Sequence, residues 1–168
     1  TDPASAKISP EDVLDLLSEL IDRSLVLTFA CTDGSLRYRC LKTLRQFAST
    51  ALGEAGEEEV FRGRHRDFFV RLVEEAEPRL ESSDQQKWLE LLEVEHDNLR
   101  AALTWSLEQQ ADAELGLRLA GVLGIWFWRQ RGHISEGRRW LERVLAASRR
   151  TLASQTTQDA ARAKGLTA

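Results

Sequence analysis

The chain has 168 residues, 42% hydrophobic and 30% charged, the make-up of an ordinary globular protein with room for one sizeable domain or two small ones. A net charge of −4 is too small for bulk electrostatics to point to a polyanion or a membrane surface. There is no signal peptide and no apolar run of about 18 residues, the longest apolar stretch (119–128) being about half that, so a cytoplasmic setting is expected. Methionine is absent, which suggests a natural chain that begins elsewhere; residues 1–6 read as a linker or a cloning remnant.

The first expected element is a helix over 9–22. Ser9 can cap it, Pro10 suits its first turn, Glu11 and Asp12 favour the positive end of its dipole, and Val13, Leu14, Leu16, Leu17, Leu20 and Ile21 form an apolar stripe. A β-hairpin follows, 25–31 and 36–41, turning at Asp33-Gly34. A two-residue turn there would set Cys31 opposite Leu36 and Cys40 opposite Leu27. Leu27, Phe29 and Cys31 would then share an apolar face with Leu36, Tyr38 and Cys40, leaving Arg37 and Arg39 on the other. In that register the two cysteines stand roughly 13 Å apart, too far for a disulfide. They read as reduced thiols.

A helix over 43–52 should turn Leu44, Phe47, Ala48 and Ala51 inward and end at Gly53 and Gly56. Helix, two-stranded wing and helix make residues 1–56 a partial winged-helix domain. So short a segment has a poor core of its own.

From 57 onward the pattern is helical. Phe61, Phe68, Phe69, Leu72, Val73 and Ala76 mark one face before Pro78. A long helix over 85–110, capped by 82–84, carries Trp88, Leu91, Leu92, Leu99, Ala102 and Leu103. After a break at 110–112 a helix carries Leu115, Leu119, Val122, Leu123 and Trp126. Arg131-Gly132-His133 forms a turn, and Ser135 caps a helix with Trp140, Leu141, Val144 and Leu145 inward. Residues 151–159 are polar, and 160–168 look like the start of another helix.

The stretch 115–145 has the layout of one helix–turn–helix repeat of about 34 residues. Glycine inside a helix costs about 1 kcal/mol relative to alanine, so Gly121, Gly124 and Gly137 need a packing reason, which a close helix crossing supplies. The expected fold is mainly α: a partial winged helix with one β-hairpin, then tetratricopeptide-like antiparallel helix pairs over 57–168, truncated. The repeat is degenerate, with no proline after its second helix and no large aromatic opening its first.

An ordered set of short motifs runs through the chain. It comprises Ser24-Leu25-Val26, Arg37-Tyr38-Arg39, Leu44-Arg45-Gln46-Phe47-Ala48, Ala55-Gly56-Glu57 and Arg64-His65. It continues with Trp88-Leu89, the run from Glu95 to Leu103, and Gly132-His133 with Glu136-Gly137-Arg138. The set resembles large bacterial transcriptional regulators of the signal-transduction NTPase class, LuxR-type or AfsR-like, over residues 9–148. The resemblance implies an NTPase, then a winged helix, then tetratricopeptide-like repeats that receive a signal or partner, with a DNA-binding or cyclase domain elsewhere. This chain has no G-x-x-x-x-G-K-[ST] loop, so the nucleotide chemistry would lie outside it.

Arg37, Arg39, Lys42 and Arg45 form a basic cluster that could meet nucleic acid, the NTPase or its nucleotide, or solvent; the acidic run 54–59 opposes a nucleic acid there. His65, His96 and His133 have no ligand-like spacing, and Glu95-His96-Asp97-Asn98 lacks the paired histidines of a zinc protease. Asp97 and Asn98 read as groups fixing one helix to its neighbour. No catalytic, cofactor or metal residues are assigned. Arg138, Arg139 and Arg143 are the candidate partner-binding residues, since arginine suits carboxylate recognition; Glu142 offers Arg138 an i, i+4 partner. The expected function is non-catalytic signal relay and protein interaction within a bacterial regulator, with a nucleic-acid-binding wing as the alternative. Expected partners are the NTPase and repeat regions of a parent chain, a protein or small-molecule effector, or a second copy.

Overall fold

The computed structural model describes residues 9–30, 34, 36–109 and 113–165, with side chains for all of these except 10, 154, 155 and 157–165. The fold is mainly α with one β-hairpin, in the order α1 (Pro10–Asp22), β1 (Val26–Ala30), β2 (Leu36–Cys40), α2 (Lys42–Glu54), α3 (Glu58–Arg79), α4 (Gln85–Val94), α5 (His96–Glu108), α6 (Ala113–Val122), a π-helical stretch (Leu123–Trp128) and α7 (Ile134–Gly165). It divides into two compact units, Thr1–Glu58 and Glu59–Ala168.

In the first unit, α1 opens with a reciprocal cap. The Asp12 N–H donates to Ser9 Oγ at 3.2 Å and the Ser9 N–H to Asp12 Oδ2 at 2.9 Å, satisfying two donors that a helix start otherwise leaves unpaired. The bond from the Ser9 N–H first, and then the Ser9 hydroxyl, holds the Asp12 carboxyl below its ordinary value. The helix ends in a Schellman motif: Leu25 N–H donates to Leu20 O and Ser24 N–H to Ile21 O, with Ser24 at φ +58° where glycine usually sits. The same motif closes α2 through Glu57 N–H to Leu52 O and Gly56 N–H to Gly53 O, and Gly56 takes the left-handed position at φ +70°.

The hairpin register differs from the expected one by a single residue. Val26 pairs with Cys40, Thr28 with Tyr38, Phe29 with Arg37 and Ala30 with Leu36. A one-residue slip turns every side chain of a strand to the other face. Leu27 and Phe29 therefore share a face with Arg37 and Arg39, and the Arg39 guanidinium lies 5.1 Å from the Phe29 ring centroid. No wholly apolar face forms; of β1 only Val26 is buried. Cys40 is a free thiol, while Cys31 lies outside the described residues. On α2, Phe47, Ala48 and Ala51 are exposed rather than inward, Phe47 to 70%.

The core belongs to the second unit. It is built from Phe69, Val70, Val73, Ala76 and Leu80 with Leu89, Leu92, Leu99, Ala102 and Leu103, closed by Leu119, Leu123, Phe127, Trp128, Trp140 and Val144. Phe61 and Phe68, expected inward on α3, are exposed, and Val70 takes the inward place. The expected single helix over 85–110 breaks at Glu95 (φ −88°, ψ 2°) into α4 and α5. The break expected at 110–112 lies outside the described residues. His133 rather than Ser135 precedes α7, accepting from the Gly137 N–H, and α7 continues unbroken to Gly165 instead of giving way to a new helix. Leu145 is exposed.

Antiparallel contact between α6 and α7 rests on small residues. A Cβ on Gly137 would lie 2.5 Å from the Trp128 ring, one on Gly124 3.4 Å from Leu141, and one on Gly116 3.3 Å from Ser106 and 3.4 Å from Val144. Gly121 has open space around it and takes no part, whereas Gly116 does so without having been expected to. Within the π-helical stretch Leu123, Phe127 and Trp128 are buried, whereas Ile125 stays exposed.

Candidate functional site

A polar cluster lies where the α4–α5 corner meets the turn before α7. The break at Glu95 starts a new helix at His96, and Gly132, at φ +80°, swings His133 back toward it. The two imidazole centroids are 4.4 Å apart, and both rings pack on Phe127, at 5.0 and 5.5 Å. Phe127 is fully buried by the π-helical stretch. Glu93, near the end of α4, places its carboxylate oxygens 3.2 and 3.4 Å from His133 Nε2, and Arg131 Nε is 4.0 Å from Glu93 Oε2. Ligand-capable atoms of Glu93, His96 and His133 all lie within 4.8 Å of one another.

A second carboxylate, Glu136 in the first turn of α7, faces the cluster from the other side. Arg100 grips it with two hydrogen bonds of 2.6 Å, and the Trp140 indole N–H donates to it at 3.2 Å. These bonds, Arg100's first, hold the Glu136 carboxyl down at about 2 although partial burial works against them, and Glu136 in turn pushes Arg100 further up. His96 Nε2 is buried without a hydrogen bond, 3.4 Å from Glu136 Oε1. Burial first, and then the positive charge of Arg100, lowers the His96 pKa below its ordinary value.

Asn98 donates to Glu95, three residues before it, at 2.6 Å, and its side chain acts to raise the His65 pKa. Asp97 reaches Arg100 within its own helix, at 3.0 Å.

The three arginines of the candidate partner surface do not form one patch. Arg139 and Arg143 line a recess of about 340 Å³ together with Arg100, Glu136 and Trp140, and Arg143 stacks 4.5 Å over Trp140. Arg138 lies on the other flank of α7, bonded to Glu142 at 2.8 Å. It borders an apolar groove of about 510 Å³ formed with Gly124, Trp128, Ile134, Leu141 and Leu145. In the first unit, Arg37 and Arg39 lie on one hairpin face, and Lys42 and Arg45 are exposed on the first turns of α2.

Spacing along the chain did not reveal the histidine cluster, because its members come from three elements up to 40 residues apart. The one visible signal was the glycine turn before His133, since Gly132 takes a left-handed φ of +80°.

Over 147 residues, 87% of the chain, the sequence is 40% identical to a protein of Mycobacterium bovis and to proteins of two Mycobacterium tuberculosis strains, each provisionally named an HTH-type transcriptional regulator. The match is longer than either compact unit, so it runs across both. The chain spans only 16% of the length of these relatives. No family model matches the chain, and no solved structure does.

Proposed function

We propose that this chain is a non-catalytic relay and protein-interaction segment of a bacterial, cytoplasmic transcriptional regulator, combining a partial winged helix with tetratricopeptide-like repeats. The observation that carries the reading is the 40% identity with named regulators across both units. The helical second unit supports it with a recess in which Arg139 and Arg143 flank Trp140. An arginine pair beside an aromatic face suits a carboxylate-bearing partner, with bidentate bonding and stacking available together. That partner is another region of the regulator or an effector protein.

The test is calorimetric binding, in trans, of this chain to the remainder of the regulator that carries it. Saturable binding, weakened about tenfold or more by Arg139→Ala with Arg143→Ala, is expected if these arginines are central contacts. Absence of binding would remove the interaction reading. The same chain titrated with labelled duplex DNA checks the wing. Binding that falls steeply with salt and disappears in Arg37→Ala with Arg39→Ala would replace relay by nucleic-acid recognition.

A further inference from the structure

We propose that Glu93, His96 and His133 form a binding site for a divalent transition-metal ion, zinc in the first instance. The inference rests on side-chain geometry and is independent of the interaction reading above.

Two imidazoles and one carboxylate are the donor set that zinc takes readily, with a fourth position open to water or another oxygen. Here the three donor atoms already lie within 4.8 Å of one another. Zinc bonds of about 2.0–2.2 Å require donors somewhat closer than that. The needed movement falls on Glu93 and His133, which are part-exposed, rather than on buried His96. The site is also short of internal bonds, since His96 Nε2 is buried with no hydrogen-bond partner. A buried polar atom left in that state costs free energy that a ligand would recover.

The surroundings fit an outer shell. Glu136 Oε1, 3.4 Å from His96 Nε2, is fixed by Arg100 and Trp140. With His96 Nε2 bound to the ion, Glu136 can accept a hydrogen bond from a water in the ion's fourth position. Phe127 closes the inner side of both rings, keeping water from the deeper donor. Arg131 is the opposing charge, 4.0 Å from Glu93, but its Nε and Nη2 make no hydrogen bond, so those nitrogens do not anchor it against a competing cation. A bound ion would join the end of α4, the start of α5 and the α7 turn. Those are the three points whose relative placement defines the corner.

The experiment is zinc titration of the chain by calorimetry, with cobalt(II) absorption as an independent report of nitrogen and oxygen coordination. Thermal unfolding is measured in the presence and absence of zinc. One ion per chain is expected, with a raised unfolding midpoint. His133→Ala and Glu93→Gln, both at part-exposed positions, are each expected to weaken binding by more than about tenfold and to abolish the thermal shift, while circular dichroism shows the helices retained. No binding to the wild-type chain overturns the site and leaves a charge-paired histidine corner. Binding that survives in both variants also overturns it, placing the ion elsewhere, for instance on Cys40.

Discussion

Gly137 and Gly121 differ only in what surrounds them, and that difference decides the sign of an alanine substitution. At Gly137 a methyl would enter the Trp128 ring at 2.5 Å, and Trp128 is buried and cannot swing away. Gly137→Ala is expected to lower stability by about 1–3 kcal/mol despite better helix propensity. Gly121→Ala, in open space on α6, is expected to raise it by up to about 1 kcal/mol; urea unfolding of both variants checks the pair. Ser24 gives a third test. It occupies a left-handed position at a cost glycine does not incur, so Ser24→Gly is expected to stabilise by about 0.5–1 kcal/mol. His65 adds a pH dependence. Burial lowers its pKa from 6.5, outweighing the bond from Asn98, so the fold favours neutral imidazole. The stability from this group is complete above the unfolded value and is lost as pH falls below about 6.5. His65→Gln should flatten the stability profile between about pH 7 and about pH 5, measured by chemical denaturation.

At the scale of elements, an ion pair ties α5 to α7 beside the packing of their core residues. Arg100 and Glu136 lie 36 residues apart in the chain, and Glu136 is largely buried while Arg100 is half open to solvent. Glu136→Gln is expected to cost about 1–2 kcal/mol, less than a fully buried pair because solvent screens Arg100. Since the folded carboxyl titrates at about 2 rather than 4.5, this stabilisation is present above the ordinary value and disappears as pH falls toward about 2. The acid limb of the stability curve should therefore be shallower in Glu136→Gln. Element type and order were legible in the sequence because apolar spacing and caps such as Ser9–Asp12 are local. Register and breaks were not. The hairpin register depends on how many residues leave the ladder, and a run of alternating residues pairs almost equally well one step along. The break at Glu95 has no proline or glycine to announce it. It becomes necessary only when His96 and Asn98 find partners on other helices.

Across the whole molecule, burial is unevenly shared. The second unit holds a continuous core, whereas in the first Val13, Leu14 and Phe47 are exposed. Phe127→Ala is expected to cost about 3–5 kcal/mol, and Phe47→Ser less than about 0.5 kcal/mol, in thermal or urea unfolding. Of the candidate surface, the sequence showed the arginines on α7 but not their division. Helix periodicity separates Arg138 from Arg139 by about 100°, and only the arrival of Arg100 and Trp140 shows which flank gathers charge. The proposed relay through contact, as opposed to reading DNA, is tested most directly by a reporter assay of the full-length regulator carrying Arg139→Ala with Arg143→Ala, paired with operator binding by the same purified variant. An altered transcriptional response with operator affinity unchanged is the expected result. A response identical to wild type, or a loss of operator affinity in parallel with the response, would contradict it.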